Sequence, residues 1–311
     1  MARLGLGVEG AIYPLDQQHR LIELAQQAEA AGFDDLSIPE HVLVGNLANE
    51  QDPWSGWEPH HLELPWPEPL VTLAAMAGAT QRIRLISAVV IAPLRPAGLL
   101  AKMAATLHVL SRGRFVLGVS PSWHRQEYDA LGVSFQQRGQ IMQDAIGACR
   151  ALWEAAPASF HSPTVNFEGM HCQPRPAPGE RIPVWFTGKF TPRLVRRVVS
   201  LGDGWMPYAV YGMTLEHKAD AIKLLRQRFG EAGRDPDTLE IADVLPPVGG
   251  SLTRSLEQVP AMLEAGITTV RVPLRRLVTA PDQVPGVLQE AVSRFREVAA
   301  SLPTRRNPAA P

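Results

Sequence analysis

Three short stretches carry side chains whose types and spacing suit proton and anion chemistry. Glu40–His41 closes the phrase "FDDLSIPEH", and a histidine's ordinary pKa near neutrality lets it exchange a proton at working pH. The same histidine could equally cap a loop. Thr187–Gly188–Lys189 follows the apolar run "IPVWF" and precedes a helix starting near Thr191, which puts backbone donors, a hydroxyl and an ammonium at a helix N-terminus. That set suits a phosphate, and it also suits a plain strand-to-helix turn. The third stretch, "GRFVLGVSPSWHRQEYDALG", leaves an apolar run through Ser120, Pro121, Ser122 and Trp123. Pro121 removes a backbone donor and fixes its own φ, while the serines offer hydroxyls in its place.

Other candidates are weaker. Trp54, Trp57 and Trp66 could wall an apolar substrate pocket or staple a long loop to the core. His60–His61 and His171–Cys172 are metal-capable types, but no third and fourth ligand stands at matching spacing, so no metal is expected.

These stretches need a frame, and the hydrophobic pattern supplies one. An apolar run at Leu4–Val8 is followed by Leu21, Leu24, Ala25 and Ala28 at helical spacing until Gly32. The phrase recurs: "FDDLSIPEH" before a helix Pro69–Ala79, "RIRLISAVV" before Pro96–Leu110, and "RFVLGVS" before Arg138–Glu154. It continues with "IPVWFTG" before Thr191–Leu201, "DGWMPY" before Leu215–Glu231, "LEIADVL" before Ser255–Ala265 and "TTVRVPL" before Pro285–Leu302. Eight strand-then-helix units predict a single (β/α)8 TIM barrel domain over residues 1–311. A doubly wound open sheet is the rival, weakened because no GxGxxG follows the first strand; the one at Gly5–Gly10 begins inside that apolar run. Two segments break the rhythm, Val42–Glu68 after strand two and Ala155–Arg181 before strand five, and their length and content of Trp, Pro and His read as lids. A barrel gathers the loops leaving its strand ends at one face. Glu40–His41, Ala88–Val89, Ser120–Trp123, Thr187–Lys189 and Asp203–Trp205 should therefore converge.

Composition removes several function classes. A chain of 311 residues with 45% hydrophobic content can bury a large core. With 30 Lys+Arg against 31 Asp+Glu, the net charge of -1 gives no electrostatic footprint for nucleic acid or an anionic membrane. The start shows no processing-site pattern, and no segment is long and apolar enough to span a bilayer, so the expected location is cytoplasmic. Cys149 and Cys172 alone make no disulfide framework.

At the strand ends, "SIPEH", "WPEPLVTLAAMAGATQRIRLISAVVIAPLRPAGLLAKMAATLHVLSRGRFVLGVSPSWHRQEYDALGVSFQQR", "IPVWFTG" and "LGDGWMP" resemble the bacterial luciferase-like flavin and deazaflavin oxidoreductases. The resemblance covers nearly the whole chain and is densest over residues 66–138. The Trp123–Glu127–Gly132 spacing and the DGWMP ending are most similar to the branch that uses coenzyme F420, a 5-deazaflavin hydride carrier.

The resemblance implies a hydride transfer between reduced F420 and a small, largely apolar substrate with an activated C=C, C=N or C=O bond. It implies His41 as general acid/base with Glu40 as its orienting neighbour, and Ala88–Val89 as a bulge, often with a cis peptide, behind the cofactor ring. Ser120, Ser122 and Trp123, with Thr187, Gly188 and Lys189, would bind the cofactor. It further implies a homodimer paired through adjacent helices and a separate reductase to regenerate reduced cofactor. Two alternatives stand beside this: an FMN-dependent two-component monooxygenase, and a cofactor-free barrel isomerase, lyase, cyclase or ligand-binding protein. The second draws on departures from the family pattern. Ser120–Pro121–Ser122 replaces a glycine-rich turn, Thr187 stands for a glycine, and His108 stands for an Asp.

Overall fold

The computed structural model describes residues 2–8, 12–45, 64–207 and 212–301. Eight parallel strands close a barrel: β1 (Arg3–Gly7), β2 (Asp35–Ile38), β3 (Arg84–Ile91), β4 (Phe115–Ser120), β7 (Val184–Thr187), β8 (Gly204–Met206), β9 (Glu240–Val244) and β10 (Thr269–Pro273). The seam is β1 on β10, with Leu4 opposite Val270 and Leu6 opposite Val272. Leu6, Leu36, Leu85, Leu117, Phe186, Ile241 and Val272 are among the buried apolar side chains that these strands contribute, as an all-parallel sheet covered on both faces requires.

Helices α1 (Arg20–Ala31), α2 (Pro69–Ala79), α3 (Ala97–Leu110), α5 (Arg138–Glu154), α6 (Pro192–Leu201), α7 (Leu215–Glu231) and α10 (Val284–Ala300) return the chain between strands, with the short α4 (Arg125–Ala130) ahead of α5. Their starts follow local chemistry. Glu68 accepts from the Val71 N–H with Pro69 in the first turn, and Thr191 accepts from the Leu194 N–H with Pro192 in the first turn. The expected helix Ser255–Ala265 is instead two short ones, α8 (Leu252–Leu256) and α9 (Val259–Glu264). Pro260 explains the break: it has no N–H to donate, and its ring would clash with the carbonyl four residues back.

The second long segment is not a lid. Residues Ala158–His161 (β5) and Asn166–Met170 (β6) pair as an antiparallel hairpin. Phe160, Val165 and Phe167 pack on Ala97, Ala145 and Ala148, so the hairpin covers the outside of α3 and α5. Small residues on those helices create the space; a Cβ at Gly147 would come within 2.8 Å of the Phe160 ring. The first long segment, Val42–Glu68, lies largely outside the described residues, and Trp54, Trp57 and His60–His61 with it.

Among the described residues no helix is long and apolar enough to cross a membrane, and no group of three or more His, Cys, Asp or Glu could hold a metal ion.

Candidate active site

Glu40, His41, Val89, Ser120, Ser122, Trp123, Thr187, Gly188 and Lys189 line one cleft at the C-terminal end of the barrel. The convergence expected of a barrel mouth holds for four of the five loop clusters. The exception is Asp203–Trp205. Strand β8 is only three residues long and Asp203 precedes it, so this carboxylate sits at the opposite end, the floor, beside Arg150, Arg181 and Arg234. His108 is also remote: it closes α3, buried, 3.5 Å from Glu180.

His41 is positioned by the strand-four exit rather than by its own neighbour. Its Nδ1 lies 3.4 Å from the Glu127 carboxylate, which is fully buried at the start of α4. The same carboxylate accepts from the Val42 N–H at 2.5 Å and the Leu43 N–H at 3.2 Å, and His124 Nε2 accepts from the Gly45 N–H at 3.0 Å. The loop leaving β2 is thus fastened to the "WHRQE" segment at three backbone amides. Trp66, Trp123 and His124 meet the His41 ring edge to face at 4.9, 6.0 and 6.1 Å, fixing its plane. Of the three lid tryptophans, Trp66 therefore reaches the site as a wall of the histidine.

Glu40 is engaged elsewhere, which corrects its assignment as the partner of His41. Its carboxylate accepts from the Ile91 N–H at 2.6 Å and from both terminal nitrogens of Arg95. Arg95 also reaches Glu68 at 2.6 Å, so two carboxylates hold it charged. Burial pushes the Glu40 carboxyl up, against the opposing pull of Arg95 and the Ile91 amide. The physical reason for the swap is direction. Glu40 reaches Ile91 at the end of β3 and Arg95 beyond it, while His41 reaches Glu127 beyond β4. Glu127 carried a sequence signal only as part of the Trp123–Glu127–Gly132 spacing.

The back of the cleft is the β3 bulge. The register between β3 and β4 shifts between Ser87 and Val90, and the Ala88–Val89 peptide is cis. Ser87 Oγ both donates to the Gly118 carbonyl and accepts from its N–H at 3.0 Å, bridging the two strands. A Cβ at Gly118 would stand 2.1 Å from the Ser87 carbonyl oxygen, so only glycine allows this approach.

The serine turn is partly self-satisfied. Ser120 Oγ accepts from the Ser122 N–H at 3.0 Å, and Ser122 holds a left-handed φ of 55°. Arg138 donates to the Ser122 carbonyl at 3.2 Å and Tyr128 donates to the Pro121 carbonyl, leaving the Ser122 hydroxyl without a hydrogen bond to a described residue. On the neighbouring strand, the Thr187 hydroxyl donates to the Met206 carbonyl at 2.8 Å, tying β7 to β8 and taking that hydroxyl out of the anion set. Gly188 has φ of +141°, and a Cβ built there meets nothing within 4 Å, so its backbone faces open space beside the exposed Lys189.

The barrel as a whole has counterparts among known proteins. The solved structure of a monooxygenase from Streptomyces bottropensis superposes with a TM-score of 0.76 at 17% identity, covering 96% of this chain and 99% of that one. The coenzyme F420 dependent tetrahydromethanopterin reductase of Methanopyrus kandleri superposes with a TM-score of 0.70 at 15% identity, covering 94% and 99%. By sequence, an uncharacterized protein of Mycobacterium tuberculosis is 30% identical over 238 residues, 75% of this chain and 82% of the relative. A family model described as luciferase-like monooxygenase matches residues 5–271. With that match spanning most of the barrel, the chain belongs to the luciferase-like monooxygenase family.

Proposed function

We propose that this family member is an F420-dependent oxidoreductase acting on a small, largely apolar substrate. The observation that carries the reading is the presence of His41 and the Val89 side of the β3 bulge on one cleft, with His41 held by a buried carboxylate. Residues fitted to the cofactor are present: the Ala88–Val89 bulge for the ring, and the open backbone at Gly188 with Lys189 for the phosphate. The Ser122 hydroxyl and Trp123 line the same cleft after β4, between the exits of β3 and β7. When bound, the deazaflavin supplies hydride to an activated C=C, C=N or C=O bond or accepts it in the reverse oxidation.

The chain's own contribution is the proton. His41 delivers or removes it at the substrate atom next to the reacting carbon, Glu127 stabilises the imidazolium that forms, and Trp66 and Trp123 keep the ring from turning. A homodimer belongs to the same reading: Val71, Leu99, Val109 and Leu110 leave exposed apolar surface on α2 and α3.

The monooxygenase named by the family model favours a second reading, in which the cleft takes FMN reduced by a separate reductase. Titrating the apo protein with F420 and with FMN, read by fluorescence quenching, separates the two. Micromolar F420 binding with no FMN binding is expected. FMN binding alone would transfer the site to the oxygenase reading, and binding of neither would point to a cofactor-free barrel.

A further inference from the structure

His124 is fully buried at the exit of β4, as the N-cap residue of α4, yet its side chain makes no cap to that helix. Nε2 instead accepts from the Gly45 N–H at 3.0 Å, and the ring lies 5.3 Å from Trp123 and 6.1 Å from His41. That one bond fixes a protonation state. A backbone N–H can only donate, so Nε2 must offer its lone pair, and the hydrogen of the neutral ring stands on Nδ1. Protonating His124 would set a second hydrogen against the Gly45 amide and break the bond.

His41 is held in the opposite sense. Its Nδ1 faces the Glu127 carboxylate at 3.4 Å, an acceptor that keeps a hydrogen on Nδ1 and favours a positive charge on this ring. The proton that His41 can exchange is then the one on Nε2. Both histidines bear on the same short piece of chain. Glu127 holds the Val42 and Leu43 amides and His124 holds Gly45, so residues 41–45 are pinned to residues 124–127 by one carboxylate and one imidazole. Arg125 lies over the Phe135 ring at 4.5 Å and Glu40 is closed on Arg95, which leaves His41 and Glu127 as the titratable groups set against this latch among the described residues.

Resting on the reading of His41 as the acid, we propose that His124 is a positioning residue: as a neutral imidazole it latches the loop that carries His41, so reduction of the substrate needs His41 protonated and His124 not. The substrate takes its proton from Nε2 of His41, and His124 gives up none. Turnover in that direction falls on both sides of an optimum, in base as His41 loses its proton and in acid as His124 gains one.

The latch is read on the apo protein, by NMR of the histidine ring nitrogens and by hydrogen exchange at the Gly45 amide, corrected for the intrinsic effect of pH on exchange. Near neutrality His124 should carry its hydrogen on Nδ1 alone, and Gly45 protection should fall about tenfold as His124 is protonated, the worth of one hydrogen bond. His124→Gln places an amide oxygen near the position of Nε2 and takes up no proton, so its protection should persist through the same acid range. His124→Phe keeps a ring against Trp123 and His41 but offers no acceptor, and should lose the protection at every pH. Circular dichroism separates a folding defect in either variant. With reduced F420 and cyclohexenone as probe, kcat of wild type should be bell-shaped in pH, and His124→Gln should lose the acid limb while keeping the alkaline one. A hydrogen on Nε2 of His124 at neutrality, full Gly45 protection in the folded Phe variant, or an acid limb unchanged in the Gln variant would each overturn the proposal. Wild type that binds no F420 would end the proposed function, and the exchange result would still decide the latch.

Discussion

Among the described residues, the charges at the floor of the barrel are gathered into two ion-pair clusters, whereas at the mouth several stay open. Arg84 donates to Asp35 and to Glu240, Glu240 also takes Arg3, and Asp203 takes Arg150, Arg181 and Arg234. At the mouth, Glu40 and Arg95 are paired, but Lys189, Arg193 and Arg196 face no carboxylate among the described residues. Charges that close on one another lock strand ends together, and removing one leaves its partner buried and unpaired. Charges left open on the first turns of α6 oppose folding slightly, through the helix dipole and mutual repulsion. Under the proposed function one end of the barrel serves stability and the other binding, so substitutions at the two ends should separate by what they change.

The largest effect is expected at the mouth. His41→Ala should slow turnover by about 10²–10⁴-fold, the range for a lost acid/base group, while leaving cofactor affinity nearly intact. Steady-state kinetics beside a binding titration checks this, and unchanged turnover would remove His41 from the mechanism.

At the floor, Asp203→Asn should cost about 3–5 kcal/mol of stability in a denaturant titration, because three guanidinium groups lose their carboxylate. Cofactor affinity of the folded fraction should not change. Asp203 also predicts a pH dependence. Burial raises its pKa, but Arg150 and Arg181 with the Val184 amide outweigh that, so the folded value lies below the ordinary one. Its contribution is present above the unfolded pKa of about 3.9 and is lost as pH falls through the lower folded value. Wild type and Asp203→Asn should therefore converge in stability under acid; a gap that persisted at the lowest pH would contradict this assignment.

Glu127→Gln keeps the shape of the clamp but removes its charge. Turnover should fall by roughly 10–100-fold through mispositioning of His41, with cofactor affinity retained. Hydrogen exchange at the Val42 and Leu43 amides should quicken, which distinguishes a weakened clamp from a lost proton donor. The smallest effect belongs to Lys189→Ala: about tenfold weaker F420 binding with little loss of rate at saturation. Binding as tight as wild type would take Lys189 out of the phosphate site.

Much of the barrel was legible in the sequence. Strand and helix alternate with apolar periods of two kinds, and helices Pro69–Ala79, Arg138–Glu154 and Leu215–Glu231 match the pattern end to end because caps, prolines and periodicity are local. The hairpin at Ala158–Met170 was not legible, since its Phe160 and Phe167 gain meaning only from alanines on α3 and α5 far away in sequence. The placement of Asp203 failed for a related reason: strand length decides which end of the barrel a residue occupies, and a three-residue strand gives almost no periodic signal.

The residue types at the mouth are therefore the sequence's own contribution: His41, the Ala88–Val89 pair, the Ser-Pro-Ser turn and the Thr-Gly-Lys turn are local phrases at strand ends, and strand ends in this fold share one face. Which carboxylate serves His41 was decided only by the tertiary structure. Glu40 is one residue away in sequence yet is committed to Arg95, while Glu127, on α4 after the next barrel strand but one, is brought against the imidazole by barrel closure. Hydrogen bonds and ion pairs act over a few ångströms of space, and the chain sets that distance only after β2, β3 and β4 have paired.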